Sequence, residues 1–264
     1  MLSNLAQLVR YRGLIQSLVA RELKARYRGS VLGFLWSFIN PLLLLSIYTF
    51  VFTKVIPNRN DLAQPYAVFM FCGILPWNWF ASSLMEASAS LVSGGNLIKK
   101  VLFPAEILPL VSVLANMVHF FLGLTILLAF LIYYRHWPDL PGLIWFPVAV
   151  LIQLVLTSAL ALFLSALTVH YRDIRDLLSN VLMFWFFATP IIYPWQDENV
   201  KIYRWVFQLN PFTHLAVSYQ EILFFHGPVG QKWWLLALGG ASIVLFLACY
   251  WFFDRLRDSF AEAV

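Results

Sequence analysis

Charge is scarce in this chain. Asp, Glu, Lys and Arg make up 12% of its 264 residues against 61% hydrophobic residues, and the mean hydropathy is +0.75. Soluble domains carry about twice that share of charge, so that class is excluded. No polar stretch is long enough to form a separate soluble domain of ordinary size, and residues 1–264 read as a single membrane domain. Cysteine is nearly absent as well. Cys72 and Cys249 both fall inside apolar runs, the setting of small buried hydrophobes rather than of a disulfide or a metal site. Residues 1–30 lack the apolar core of a cleavable signal peptide, so the amino terminus is expected to stay on the side where it is made.

Several motifs are missing too. No G-x-x-x-x-G-K-[ST] occurs, so the chain carries no phosphate-cradling loop, and any ATP-driven work needs a partner. The apolar runs hold almost no ionisable residue of the kind that ion-coupled carriers use. Glu86 and Glu106 fall at their ends. His119, one turn after Asn116, is the main titratable group at depth, and a lone His there reads as an interhelical hydrogen-bonding residue. Neither H-E-x-x-H nor a nucleophile elbow nor a deep carboxylate pair occurs. No catalytic residue and no metal ligand set is expected, and membrane peptidases and glycosyltransferases lose ground.

What is present is hydrocarbon-compatible sequence. A bilayer asks for about 20 apolar residues per helix, and residues 31–52, 66–85, 107–134, 143–167, 177–193 and 233–253 qualify, the fifth being the shortest. A further apolar stretch, "FTHLAVSYQEILFF" at 212–225, contains His214 and Glu221 between Asn210-Pro211 and Gly227-Pro228. A re-entrant or surface-lying helical hairpin suits it better than a seventh span. The fold class is thus an all-α integral membrane protein with six spans, an interface helix within 1–30 and a tail at 254–264. With this assignment twelve Lys and Arg fall on the side of the termini and six on the other, which makes both termini cytoplasmic.

Ahead of the first span, Ile15, Leu18, Val19 and Leu23 recur at helical spacing while Arg21, Lys24 and Arg28 repeat on another face, with Glu22 and Arg26 an i,i+4 pair. This is a basic amphipathic helix in the interface, ended by Gly29. It serves either to set topology against anionic lipid or as an anion-handling collar at a pore entrance, where arginine can grip phosphate with two parallel bonds. Rings also recur in phase. Phe34, Phe38, Tyr48 and Phe52 share a stripe with Pro41 on the first span, with Trp36 and Asn40 on another face, while Phe186, Pro190 and Tyr193 align beside Trp185 on the fifth. Such stripes pack against helices or lipid, or else offer apolar faces along which the C–H face of a sugar slides. Pro41 and Pro190 are expected to kink their spans.

Four stretches together resemble a family. "RELKARYRGSVLGFLWSFINPLL" (21–43), "KKVLFPAEILPL" (99–110), "HYRDIRDLL" (170–178) and "TPIIYP" (189–194), the last followed by "NPF" at 210–212, are similar to the permease subunits of ABC-2-type exporters of O-antigen, capsule or teichoic acid. The resemblance implies a homodimer joined to two ATPase chains, which bind the ATP and Mg, with no cofactor in this chain and no nucleic acid partner. It implies a place in the bacterial inner or plasma membrane. It places Arg21, Glu22, Lys24, Arg26 and Arg28 near the pore entrance, where the pyrophosphate of a lipid-linked polysaccharide would arrive. It makes residues 87–104 a coupling loop, with Gly94, Gly95, Lys99, Lys100, Phe103 and Pro104 as its recognisable residues. It lets His170, Arg172, Asp173 and Asp176 organise the cytoplasmic face, and makes spans one and five the pore walls, so that Phe34, Phe38, Tyr48, Phe52, Trp185, Phe186 and Tyr193 line the substrate path. Exporters of small hydrophobic compounds and ion-coupled flippases remain the alternatives.

Overall fold

The computed structural model describes residues 11–55, 63–95, 104–197, 200, 202–225 and 229–263, and among these every regular element is helical. Helix α1 is Arg12–Arg26; a 3-10 turn Gly33–Leu35 leads into α2, Trp36–Phe50, which runs on into a wider turn Val51–Val55. Then come α3 (Tyr66–Ser93), α4 (Ile107–Tyr133), α5 (Trp145–His170), α6 (Ile174–Phe187), α7 (Arg204–Leu209), α8 (Pro211–Leu223) and α9 (Lys232–Ala263). Only a helix, or a closed barrel, satisfies its own backbone in hydrocarbon. Five helical stretches among the described residues are long and apolar enough to cross a bilayer: Gly33–Phe50, Tyr66–Ser93, Ile107–Tyr133, Leu140–His170 and Lys232–Arg257.

Helix α3 is the centre of the bundle. It packs against α4, α5 and α8, and its residues 66–77 are buried without interruption. Small side chains let neighbours come close, as expected where lipid tails offer no hydrophobic drive for helices to associate. A Cβ on Gly73 would lie 3.1 Å from Gln220 Nε2 and 3.1 Å from Ile191 Cγ2; a Cβ on Gly239 of α9 would lie 3.1 Å from Ile152 Cδ1 of α5. Buried side-chain N–H groups supply interhelical bonds. Gln153 Nε2 donates to the Pro76 carbonyl at 2.8 Å, and Trp79 Nε1 donates to the Val113 carbonyl at 3.1 Å.

The two ends of the bundle are marked by different contacts. At one end α1 lays Leu14, Ile15, Leu18 and Val19 on Ile107 and Val111 of α4, Arg257 of α9 pairs with buried Glu106 at 3.8 Å, and Phe260 packs with Val169 and Ala166 of α5. Both ends of the described chain lie there. At the other end Tyr66 donates its hydroxyl hydrogen to the Ile192 carbonyl, His136 bonds the Phe224 carbonyl, and Glu221 meets the start of α9.

Three expectations change in detail. The segment expected as a fifth span over 177–193 is a helix of 14 residues, Ile174–Phe187, about 21 Å long, and a further turn carries the chain on. Pro190 lies beyond the end of that helix, so it kinks nothing; the stretch around it supplies free carbonyls, two of which, Pro190 and Ile191, accept from Gln220 Nε2 at 3.0 and 3.3 Å. Helix α8 is no surface element, because residues 212–220 are all buried, against α3, α5 and α9 among others. Pro41 does stand inside α2, and α1 does end just before Gly29, whose φ of +82° suits glycine.

Candidate functional site

Beyond its apolar face, helix α1 is tied to the bundle by the side chain of Arg26. Arg26 sets Nη2 2.7 Å from both oxygens of Glu86 on α3, and its Nη1 donates to Asn116 Oδ1 on α4 at 3.2 Å. Asn116 in turn donates to Glu86 Oε2 at 2.6 Å and to the Ser112 carbonyl at 2.9 Å. A guanidinium that grips a carboxylate and an amide together is already saturated on that face. Arg26 is thus a clamp between three helices before it is a phosphate ligand.

A cavity of about 430 Å³ lies to one side of this clamp, where Arg21 and Glu22 of α1 face Glu86, Ser90, Ser93 and Gly94 at the end of α3, with Arg175 of α6 on its wall. The structure therefore brings together Arg21, Gly94 and Arg175, from three of the expected motifs. Lys24 and Arg28 are exposed and line neither this cavity nor the next. Gly94 is where α3 presses on α4, because a Cβ there would come within 2.5 Å of Leu108 Cδ1. Gly95 and Pro104 are buried. Lys99, Lys100 and Phe103 lie outside the described residues. His170 bonds the Ala166 carbonyl through Nδ1 at 3.2 Å and faces Phe260, while Arg172 and Asp173 are exposed between α5 and α6 and Asp176 is exposed in the first turn of α6.

A second cavity, about 280 Å³, opens on the other side of the clamp between α2, α3 and α4, lined in part by Trp36, Asn40, Asn78, Asn116 and His119.

Rings on α2 and α6 divide by direction. Tyr27, Phe34 and Phe38 form a chain of edge-to-face contacts at 6.2 and 6.0 Å, with Phe34 exposed. Tyr48 is half-buried against the core, and the side chain of Phe52 lies outside the described residues. On α6 Trp185 and Phe186 turn inward onto Trp77, at 6.4 and 5.7 Å, whereas Phe184 and Phe187 are 71% and 59% exposed. Tyr193 donates to the Phe187 carbonyl at 2.9 Å and packs on Phe207.

The inward turn of Trp185 has a cause in Asn210. Its Oδ1 accepts from Trp185 Nε1 at 2.7 Å and from the Phe212 amide at 2.9 Å, capping α8; its Nδ2 donates to the Ala188 carbonyl and to Thr189 Oγ1, each at 2.9 Å. One amide ties "TPIIYP" to "NPF". Local sequence pattern assigns no partner to Glu86, Arg175 or Asn210. A lone carboxylate at a span end, facing a basic helix, was the available signal for Glu86. Its partner lies 60 residues away, beyond the reach of local pattern.

Among the described residues no group of three or more His, Cys, Asp and Glu gathers as a metal site would require. Near the far end, burial pushes the Glu221 carboxyl above its ordinary range, opposed by the Gln231 and Gly230 backbone amides and by Arg204.

The sequence model of the ABC-2 type transporter matches residues 13–224. The O-antigen export system permease protein RfbA of Myxococcus xanthus is 42% identical over 268 residues, covering 100% of both chains. A protein of the same name from Klebsiella pneumoniae is 32% identical over 246 residues, 92% of this chain and 91% of its own. With a matched region that runs from α1 to just past the end of α8, this chain belongs to the ABC-2 type transporter family.

Proposed function

We propose that this chain is the permease subunit of an ATP-driven exporter that carries a lipid-linked O-antigen polysaccharide across the bacterial inner membrane. The observation that carries this is likeness over the full length of a protein named as an O-antigen export permease. ATP, with Mg, is bound and hydrolysed by a separate subunit, for which residues 87–104, α1 and the α5–α6 turn are the docking elements.

Parity supports an even number of crossings, because both ends of the described chain share one end of the bundle; in this reading α6 with residues 188–192 is the sixth beside five long helices. The abundance of arginine and lysine there makes that end cytoplasmic. Helices α7 and α8 form a re-entrant hairpin on the outer side. Helices α2 and α6 expose apolar side chains, among them Leu42, Leu43 and Ile47, and Val181, Phe184 and Phe187; two copies facing each other through these helices enclose the channel, with Phe34, Phe38, Phe184 and Phe187 toward the glycan. At the entrance the lipid pyrophosphate meets Arg21, Lys24 and Arg28, with Arg175.

The test is ATP hydrolysis by the permease purified in lipid with its ATPase, with and without lipid-linked polysaccharide. Stimulation is the expected result, lost when Lys99, Lys100 and Phe103 are replaced together. A stable complex indifferent to the glycolipid would move the substrate to small hydrophobic compounds. Absence of any complex would overturn the assignment.

A further inference from the structure

The cavity between α2, α3 and α4 is left unused by the reading above, and its lining is unusual for its depth. Asn40 on α2 and Asn78 on α3 both face it, both are exposed within their own subunit, and neither makes a hydrogen bond among the described residues. Both lie within membrane-crossing helices. Asn78 stands about 22 Å from the end of α3 at Ser93 by helical rise. An amide left without a partner in hydrocarbon is strongly disfavoured, so two of them opening onto one recess call for a polar occupant. His119 Nε2 is buried near them, also without a partner. The half-buried indole of Trp36 completes the wall.

Charge decides what kind of occupant fits. Arg26 is the one formal charge on this lining, and Glu86 and Asn116 already neutralise and saturate it. An anion gains little here. Carboxamides both donate and accept, as sugar hydroxyls do, and an indole offers a face to C–H groups. A volume of about 280 Å³ is at the small end of ligand sites, enough for a single ring and not for a polymer. A recess between three helices is also no flat face for a second copy to cover. Because the cavity adjoins Tyr27, next to the exposed Arg28, its ring is the one nearest the lipid pyrophosphate. We propose that the Asn40–Asn78 recess is a binding site for one neutral sugar ring, the lipid-proximal sugar of the exported glycolipid. This rests on the export reading above.

The experiment places a thiol in the recess with Ser82→Cys, which lines it and leaves both carboxamides in place, in the permease–ATPase complex in lipid nanodiscs, where the native Cys72 and Cys249 are buried. The rate of modification by a small charged methanethiosulfonate is followed, and ATP hydrolysis is measured on the same sample. Slowing of about tenfold or more by polyprenyl-pyrophosphoryl monosaccharide, and none by sugar-free polyprenyl pyrophosphate, is the expected result. Equal slowing by both would make the recess a pyrophosphate seat and overturn the proposal. No slowing by either, while lipid-linked polysaccharide still stimulates ATP hydrolysis, would sink the proposal and leave the export reading standing. If neither effect is seen, both fall. A thiol that resists the reagent throughout and links two permease copies on oxidation would show that a second copy covers the site, which also overturns it. In an otherwise native chain, Asn40→Leu is expected to raise the half-stimulating glycolipid concentration about tenfold, the loss of one good hydrogen bond, and an unchanged value would count against the proposal.

Discussion

Arg26 and Arg28 stand two positions apart and differ in what their guanidinium groups already hold. Arg26 is committed to Glu86 and Asn116, whereas Arg28 makes no side-chain bond or ion pair among the described residues. Their replacement should therefore separate two kinds of defect. Arg26→Ala is expected to lower the melting temperature of the detergent-purified protein and to open α1 to proteolysis. The pair is partly exposed, with side-chain exposures of 27% and 35%, so a double-mutant cycle with Glu86→Ala should show a coupling of about 1 kcal/mol rather than that of a buried pair. Arg26→Lys should not restore it, because an ammonium cannot grip carboxylate and amide in one plane. Arg28→Ala should leave the melting temperature alone and weaken stimulation by glycolipid. Asn210 offers a sharper case. Asn210→Ala removes a helix cap and strands the indole N–H of Trp185, together about 2–3 kcal/mol. Asn210→Asp keeps both acceptor bonds and loses the two donated ones, so its melting temperature should fall between alanine and the parent.

At the scale of elements, α8 and α9 are joined by a carboxyl group that burial disfavours in its charged form. Glu221 Oε2 accepts from the Gln231 amide at 3.2 Å, and burial raises its proton affinity in the folded chain above that in the unfolded one. The folded state thus binds the proton more tightly, and this contribution is full at low pH and declines as pH rises from the ordinary carboxylate range through the raised value. Glu221→Gln should match the parent near about pH 4 and melt above it at about pH 8, as thermal unfolding across that range would show; a variant less stable at both would mean that the charge is favourable. Gly73 tests how closely α3, α8 and the 189–194 segment approach. Gly73→Val should cost about 1–3 kcal/mol by overpacking and reduce the monodisperse yield, since its neighbours are the backbone-anchored Ile191 and a hydrogen-bonded Gln220. Most long helices were legible because apolar runs of bilayer length have few alternatives. The end of α6 was not. An apolar run continues through residues 188–193, but the backbone turns away there, because Asn210 and Gln220, distant in sequence, claim its polar groups. Helical phase aligns Phe186 with Tyr193 beside Trp185, but it does not show that a hydrogen bond to Asn210 and contacts with Trp77 turn Trp185 and Phe186 into their own subunit while Phe184 and Phe187 stay exposed.

For the whole molecule, a single copy exposes apolar faces on both α2 and α6 while α8 and most of α3 are buried within it. Mass measurement of the complex in nanodiscs should find two permease chains with two ATPase chains; one of each would leave the channel without its second wall and remove the proposed path. The basic character of one end was readable from arginine and lysine alone, but the clamp was not, because it joins residues separated by 60 and 90 positions. Helix α2 buries just Ser37 and Leu45 within its own subunit, and its two ends lead into irregular turns. In a hydrocarbon solvent, withdrawing such a helix forfeits dispersion contacts without exposing apolar surface to water. Shifting α2 against its own subunit therefore costs packing contacts alone, and far fewer of them than shifting α3 would.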